Sequence, residues 1–164
     1  MQPSYRLVSG LFFVASLIGM AFALYLEHVQ GLEPCPLCIF QRIGLIAFGV
    51  FSLLAFVHNP TSNKLKRAYT LVAGLGVLWS AGVAARHVWL QNLPPDEVPS
   101  CGPGLDYLLD ALPLKSVFEQ VLSGSGECAK IDWTLLGVSL PVWSFLLFAI
   151  LVLLSIWQLV RKYP

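Results

Sequence analysis

The sequence has 164 residues, and its composition is that of a membrane protein rather than of a soluble enzyme. Hydrophobic residues make up 57% of it and charged residues only 12%, whereas soluble domains are about a quarter charged. The mean hydropathy is +0.74 and the formal net charge is +1. These proportions exclude a soluble globular core as the main destination of the apolar residues.

Four segments carry little charge over the roughly 20 residues that a helix needs to cross a bilayer. They are 7–26, 39–57, 68–87 and 138–160. Pro141 lies near the start of the last segment, and proline is favoured in the first turn of a helix. We therefore predict an all-α membrane protein, a single integral membrane domain over residues 1–164. Its four transmembrane helices form a bundle with two outward loops, 27–38 and 91–132.

The basic residues predict which helix ends face the cytoplasm. They cluster before the first span, between the second and third, and after the last: Arg6, Lys64, Lys66, Arg67, Arg161 and Lys162. Cytoplasmic segments carry an excess of such residues, so both termini are expected inside. All four cysteines then lie on or beside the outward loops, in the oxidising periplasm if the organism is bacterial.

Residues 1–23 have one alternative interpretation, a cleaved signal peptide. Arg6 would be its basic end and Ala21-Phe22-Ala23 its cleavage site. The uncharged run is 20 residues long, however, and the apolar part of a signal peptide is about 7–15. Small residues recur every fourth position (15, 19 and 23), which suits close helix packing. We predict a retained span.

The second outward loop contains an amphipathic pattern. Leucines at 105, 108, 109 and 112 follow helical spacing, and the pattern restarts after Pro113 with Leu114, Val117, Phe118 and Val121. One or two short helices are predicted, lying in the membrane interface. The alternative is a small packed lid without membrane contact. The following stretch GSGEC, 124–128, is predicted to be a flexible turn that lets Cys128 move.

The stretch CPLC, 35–38, has the spacing of thiol redox motifs and also of half a zinc site. The second cysteine pair, Cys101 and Cys128, is 27 positions apart, and His87 has no ligand spacing to it. If Cys35 is the helix N-cap, Pro36 takes the first helical position and Cys38 falls in the first turn. The positive end of the helix dipole then favours the Cys38 thiolate. Redox chemistry is favoured over zinc and over inert structural disulfides.

Two further polar side chains are expected near the Cys35–Cys38 motif, at a similar depth in the membrane. Arg42 lies four residues after Cys38, one turn deeper on the same helix face. It either extends to lipid headgroups or polarises a carbonyl of something bound beside Cys38. His87 ends the third span and is either solvated or part of the site.

Together these motifs resemble the disulfide bond formation protein B (DsbB) family. The resemblance covers essentially the whole chain and rests on CPLCIFQR opening the second span, ARHVWLQ ending the third, PSC and GEC in the long loop, and DWTLLGVSLPVW entering the fourth. It implies a quinone-dependent protein-dithiol oxidase of the bacterial inner membrane. Such an enzyme reoxidises a periplasmic DsbA-like thiol oxidase and passes the electrons to ubiquinone or menaquinone.

The resemblance also assigns roles to residues. It implies that two cysteine pairs are catalytic, Cys35 with Cys38 and Cys101 with Cys128. It also implies that Arg42 and His87 bind the quinone. Partners are the thiol oxidase, membrane lipid and quinone; no metal and no nucleic acid is expected. A quinone is also the economical acceptor because the chain has no nucleotide fingerprint; Gly74-Leu75-Gly76 falls inside a span.

Three alternatives stay open. A specialised family member would serve one dedicated partner. An enzyme resembling vitamin K epoxide reductase would share the chemistry, but its C-x-x-C motif is expected in a late span. A membrane assembly factor with structural disulfides would not be an enzyme.

Overall fold

The computed structural model describes residues 4–102, 105–161 and 163, and within them the chain is mainly helical with almost no sheet. Lys162, used above for orientation, lies outside the described residues. The elements in chain order are α1 (Tyr5–His28), α2 (Pro36–His58), α3 (Asn63–Gln91), α4 (Leu105–Ala111), α5 (Leu114–Ser123), α6 (Gly126–Ala129), β1 (Thr134–Leu135), β2 (Val138–Ser139) and α7 (Leu140–Val160). Among the described residues, four helices are long and apolar enough to cross a membrane: α1, α2, α3 and α7. The predicted all-α fold with four spanning helices is confirmed.

Helix α3 extends well beyond the predicted span 68–87, which has little charge. It begins at Asn63 and ends at Gln91, so that the basic residues of the middle connection lie in its first turns. The link between α2 and α3 is therefore only residues 59–62, with Asn59 in the left-handed conformation at a φ of 42°. The boundary of an uncharged run marks where side chains meet water, and a helix does not have to end there.

The spanning helices pack in the order α1–α2, α2–α3 and α3–α7. The most extensive of these contacts joins α2 and α3, and glycine residues lie where the two helices cross. A Cβ atom on Gly44 would lie 2.5 Å from the carbonyl oxygen of Gly76 and 3.0 Å from Trp79. The two backbones can approach this closely because neither glycine carries a side chain, as is common where membrane helices cross.

Beside this crossing lies the main apolar core. Phe48 and Val77 are fully buried there, and Phe12 of α1 and Phe148 of α7 pack around them. The ring of Phe12 lies 5.2 Å from that of Phe48. Since α1 and α7 are the outer members of the packing series, the space between them is available for a cavity.

The second loop folds over the end of the bundle at which α2 begins. Val117 and Val121 of α5 are buried, with 2% and 3% exposure, against Leu37 and Leu90. Arg86 of α3 holds the other side of the lid, because its guanidinium donates to the carbonyl oxygens of Leu122 (3.1 Å) and Ser123 (2.8 Å).

The predicted amphipathic segment is therefore two helices, broken at Pro113, and its inner face is covered by protein. Its outer face remains apolar: Leu109 is 49% exposed and Phe118 is 46% exposed. The Phe118 ring lies beside Phe40 and Trp79. The segment thus combines a packed lid with an apolar surface suited to the membrane interface.

The close contact at Gly44 predicts a matched pair of stability effects. Gly44→Ala should lower the unfolding midpoint, by about 1–3 kcal/mol in free energy, because the added methyl group overpacks the α2–α3 contact. Gly82→Ala is the control, since Gly82 is an exposed position of α3 with nothing within 4 Å of an added Cβ. It should be neutral or slightly stabilising, because alanine is the better helix former. Thermal unfolding in detergent measures both, and equal midpoints would contradict the assigned contact.

Candidate active site

The first cysteine pair sits at the N-terminus of α2, with the helix positions expected from the sequence. Cys35 is the N-cap and Pro36 opens the helix, so Cys38 lies in the first turn. The two sulfur atoms are 3.3 Å apart. The structure contains all four cysteines as thiols, and this pair is half-buried. Two thiols this close can close to a disulfide with little movement, which is the geometry that dithiol redox chemistry needs.

His87 reaches this pair from α3. Its Nε2 atom lies 3.9 Å from the Cys35 sulfur and its Nδ1 atom lies 3.9 Å from the Cys38 sulfur. The side chain is only 3% exposed. Of the two interpretations open at this position, a solvated histidine is thus excluded by its burial. Cys35, Cys38 and His87 form a cluster whose ligand atoms all lie within 4.8 Å of one another.

Gln41 connects this cluster to the helix contact below it. The side-chain nitrogen Nε2 of Gln41 lies 3.3 Å from Nδ1 of His87. The backbone carbonyl oxygen of Gln41 accepts a hydrogen bond from the Ser80 hydroxyl at 2.8 Å. Gln41 is 5% exposed and Ser80 is fully buried. Sequence reasoning missed both residues. The available signal was their polarity inside apolar spans, where a buried polar side chain needs a partner.

Arg42 forms an ion pair with Glu27, at the end of α1. Its guanidinium also donates to the carbonyl oxygen of Ala23 at 3.4 Å. The side chains of Arg42 and Glu27 are 20% and 29% exposed. Arg42 therefore has a protein carboxylate as its partner and does not depend on a lipid headgroup. Glu27 was also missed, although an arginine at the membrane edge demands a nearby anion.

A cavity of about 230 Å³ adjoins these residues. Helices α1, α2 and α7 form most of its wall, and Cys35, Cys38, Arg42 and His87 all line it. The remaining wall is mainly apolar, with aromatic and aliphatic side chains such as Phe22, Leu26, Leu45, Leu147 and Phe148. A space of this kind suits a flat apolar ligand with a few polar atoms.

The second cysteine pair is divided between surface and interior. Cys101 is exposed, whereas Cys128 is 1% exposed and packs in the cluster that includes Leu37 and Cys35. Gly126 keeps the two loop segments together, because its N–H donates to the Ser100 carbonyl oxygen at 3.2 Å. A Cβ atom on Gly126 would lie 3.2 Å from the Cys101 sulfur. The loop thus holds Cys128 between the first pair and Cys101.

The surroundings of Cys128 hold it in the thiol form. Its pKa is raised, first by a hydrogen bond to the Cys35 side chain and then by burial. As the pH rises through the ordinary range of a cysteine, near 8.5, an unperturbed thiol would ionise and Cys128 would stay protonated. Its release as a thiolate therefore requires a change at Cys35 or a movement of the loop.

Comparison with known proteins identifies the family. The family profile described as "Disulfide bond formation protein DsbB" matches residues 5–158. The chain belongs to the DsbB family. Among proteins named "Disulfide bond formation protein B", that of Acinetobacter baumannii is 68% identical over 164 residues, covering 100% of this chain and 96% of its own length. That of a Psychrobacter species is 52% identical over 163 residues, covering 97% and 95%. That of Stutzerimonas stutzeri is 46% identical over 150 residues, covering 92% and 91%.

Membership of the DsbB family confirms the resemblance seen in the sequence. It makes this chain a disulfide-forming oxidoreductase, and the four spanning helices make it a multi-pass membrane protein. In this chain the C-x-x-C motif lies at the start of a spanning helix and not in a soluble domain. The chain that carries it belongs to a family named for disulfide bond formation.

The raised pKa of Cys128 predicts a pH effect that depends on its neighbour. In fully reduced protein, Cys35→Ala should move the midpoint of Cys128 alkylation to lower pH, because the leading cause of the shift is removed. Cys38→Ala retains Cys35 and is the control, with its midpoint expected close to that of the unaltered protein. Mass spectrometry of peptides alkylated over a pH series measures both midpoints. Identical midpoints in the two variants would mean that burial alone protects Cys128.

Proposed function

We propose that this protein reoxidises a periplasmic DsbA-like dithiol oxidase and passes the electrons to a membrane quinone, either ubiquinone or menaquinone. The observation that carries the proposal is the position of the Cys35–Cys38 dithiol on the wall of an apolar cavity between spanning helices. A water-soluble acceptor would gain little from such a site, whereas a lipid-soluble one reaches it from the bilayer.

The residues around the cavity fit a quinone. The apolar wall would hold its ring, and Arg42 and Cys38, which both line the cavity, would be its polar and redox-active neighbours. A guanidinium carries five N–H donors, more than its contacts with Glu27 and Ala23 use. His87 is the other polar side chain of the wall that lies against the first pair. When bound, a quinone would supply a two-electron acceptor for the dithiol.

The proposed thiol relay begins at the exposed cysteine. A partner thiolate attacks Cys101 of a Cys101–Cys128 disulfide, which forms a mixed disulfide and releases Cys128 as a thiolate. Cys128 then attacks Cys35 of the Cys35–Cys38 disulfide, so that a Cys35–Cys128 bond forms and Cys38 leaves as a thiolate. The burial of Cys128 beside Cys35 supports this order, because the attacking and accepting sulfurs are already neighbours.

The remaining thiol–disulfide exchanges involve only the partner and the four cysteines. The second thiol of the partner attacks the mixed disulfide and leaves oxidised, which releases Cys101. Cys101 attacks Cys128, restoring the loop disulfide and releasing Cys35. The electron pair of the partner now resides on Cys35 and Cys38, at the N-terminus of α2, where the helix dipole favours the Cys38 thiolate. Arg42, one turn deeper, would stabilise negative charge that develops in the cavity.

The charges at the ends of the helices support an orientation in the membrane. Lys64, Lys66 and Arg67 begin α3, and Arg6 begins α1, at the end of the bundle away from the cysteines. The positive-inside rule favours a cytoplasmic location for that end. The proposal therefore has both termini in the cytoplasm and the cysteines on the periplasmic side of a bacterial inner membrane, in one integral domain.

Cysteine substitutions test the proposed order of exchange. Cys128→Ser should lose oxidation of the partner, because the loop disulfide that the partner thiolate attacks can no longer form. Cys38→Ser should still exchange with the partner but should lose quinone reduction. Non-reducing gels and quinone absorbance follow the two steps separately. Sustained turnover by Cys38→Ser would contradict the relay, and an absence of quinone-coupled turnover in the unaltered protein would favour an assembly factor.

Arg42 supplies a test of the quinone site. Arg42→Lys keeps the charge but loses the planar fork of donors, so the apparent KM for quinone should rise about tenfold, or ~1.4 kcal/mol, with partner exchange unchanged. Arg42→Ala should be worse. Arg6→Lys is the control, because Arg6 lies at the other end of the bundle against Phe56. Kinetics in nanodiscs at varied quinone concentration measure all three. Unchanged quinone KM in both Arg42 variants would remove Arg42 from the site.

A further inference from the structure

The cluster of Cys35, Cys38 and His87 has the dimensions of a metal site. A tetrahedral zinc ion with Zn–S of about 2.3 Å and Zn–N of about 2.0–2.1 Å holds two sulfur ligands about 3.8 Å apart, and sulfur and nitrogen about 3.5 Å apart. The two sulfurs here are 3.3 Å apart, the Cys35 sulfur is 3.9 Å from Nε2 of His87, and the Cys38 sulfur is 3.9 Å from Nδ1. One ligand atom from each of the three residues lies within 4.8 Å of the other two. A rotation of the imidazole ring and side-chain movements of about 1 Å would place a single nitrogen and both sulfurs around one ion.

Gln41 gives His87 the support that a metal-binding histidine normally has. Such a histidine uses one ring nitrogen for the ion and donates the N–H of the other to a fixed acceptor. The Gln41 side chain faces Nδ1 at 3.3 Å, and its amide can present either oxygen or nitrogen to that atom. With the oxygen turned toward Nδ1–H, the Nε2 lone pair is directed to the side of Cys35.

The site is closed to bulk water on one side and open to the cavity on the other. His87 and Gln41 are buried, and the Cys35–Cys38 pair is half-buried at the cavity wall. The fourth position of a tetrahedral ion can be taken by water from the cavity or by Cys128, which packs in the same cluster as Cys35. Three protein ligands with one open position are a common zinc arrangement.

We propose that the reduced Cys35–Cys38 dithiol and His87 bind a thiophilic divalent cation such as Zn²⁺, and that this binding inhibits the enzyme. Binding one ion replaces the two thiol protons, which are released, and it changes no oxidation state. The oxidised pair cannot form the site, because a disulfide offers no thiolate ligand. Metal ions would therefore capture only the two-electron-reduced protein.

Capture of the reduced form would stop disulfide formation at its last step. Both sulfurs would be held as ligands, so neither could leave to join the other or to donate electrons. The C-x-x-C motif supplies two of the three proposed ligands. The third, His87 of α3, is 49 residues after Cys38 and is brought beside it by the helix crossing at Gly44 and Gly76. This is why no metal motif is visible in the sequence.

Direct binding tests the proposal. The full-length protein in detergent is reduced, freed of reductant without air, and titrated with Cd²⁺, whose thiolate complexes show an ultraviolet charge-transfer band. One ion per chain should bind, and Zn²⁺ in excess should compete with it, because thiolate ligands favour the softer Cd²⁺. His87→Ala should weaken binding by about tenfold or more, since even outer-shell partners of metal ligands are worth roughly 10–100-fold. His58→Ala, at the far end of α2, is the matched control and should bind as the unaltered protein does.

Two double variants locate the ion. Cys101→Ser/Cys128→Ser retains the three proposed ligands and should bind, whereas Cys35→Ser/Cys38→Ser should not. Binding that survives the second double variant, or that is unchanged in His87→Ala, would overturn the proposal. Because the titration needs neither quinone nor partner, it stands apart from the proposed electron acceptor. A separate measurement, the stalling of first-pair reoxidation by Zn²⁺ and its recovery with a chelator, tests the inhibition.

Discussion

The close crossing of α2 and α3 is the constraint on which the rest of the site depends. Gly44 and Gly76 let the two backbones meet, and the hydrogen bond from Ser80 to the Gln41 carbonyl oxygen fixes their relative position. The consequence appears two turns further along α3, where His87 arrives beside the sulfurs at the start of α2. A shift of one helix along the other by a few ångströms would separate the histidine from the dithiol, while leaving both helices intact.

The same end of the bundle also has to accommodate charge where water is scarce. A guanidinium cannot lose its proton under ordinary conditions, so Arg42 needs an anion at the membrane edge. Glu27 supplies one from α1, and the pair forms part of the cavity rim. Because the ion pair is partly exposed, it positions Arg42 more than it stabilises the fold. The proposed quinone site thus depends on an acidic residue that itself has no redox chemistry.

Much of this architecture follows from the sequence, but the contacts between helices do not. The four spanning helices follow from uncharged runs, and the cap at Cys35 follows from the proline after it. The break at Pro113 likewise separates α4 from α5. Glu27 and Gln41, in contrast, are single polar residues without periodicity, and their partners are set by the rotation and depth of each helix. Glycine at 44 and 76 indicates close packing but does not say which glycine meets which.

The two cysteines of the second pair differ in exposure, and this difference favours one order of electron transfer through the loop. Cys101 is exposed, whereas Cys128 is buried and packs with residues of α5 and with the first pair. Arg86 anchors the end of α5 to α3. Within the second pair, Cys101 is therefore the exposed sulfur, whereas Cys128 lies in the buried cluster with Cys35. Under the proposed relay, electrons enter at the exposed Cys101 and pass through the buried Cys128 to the half-buried Cys35–Cys38 pair at the cavity wall.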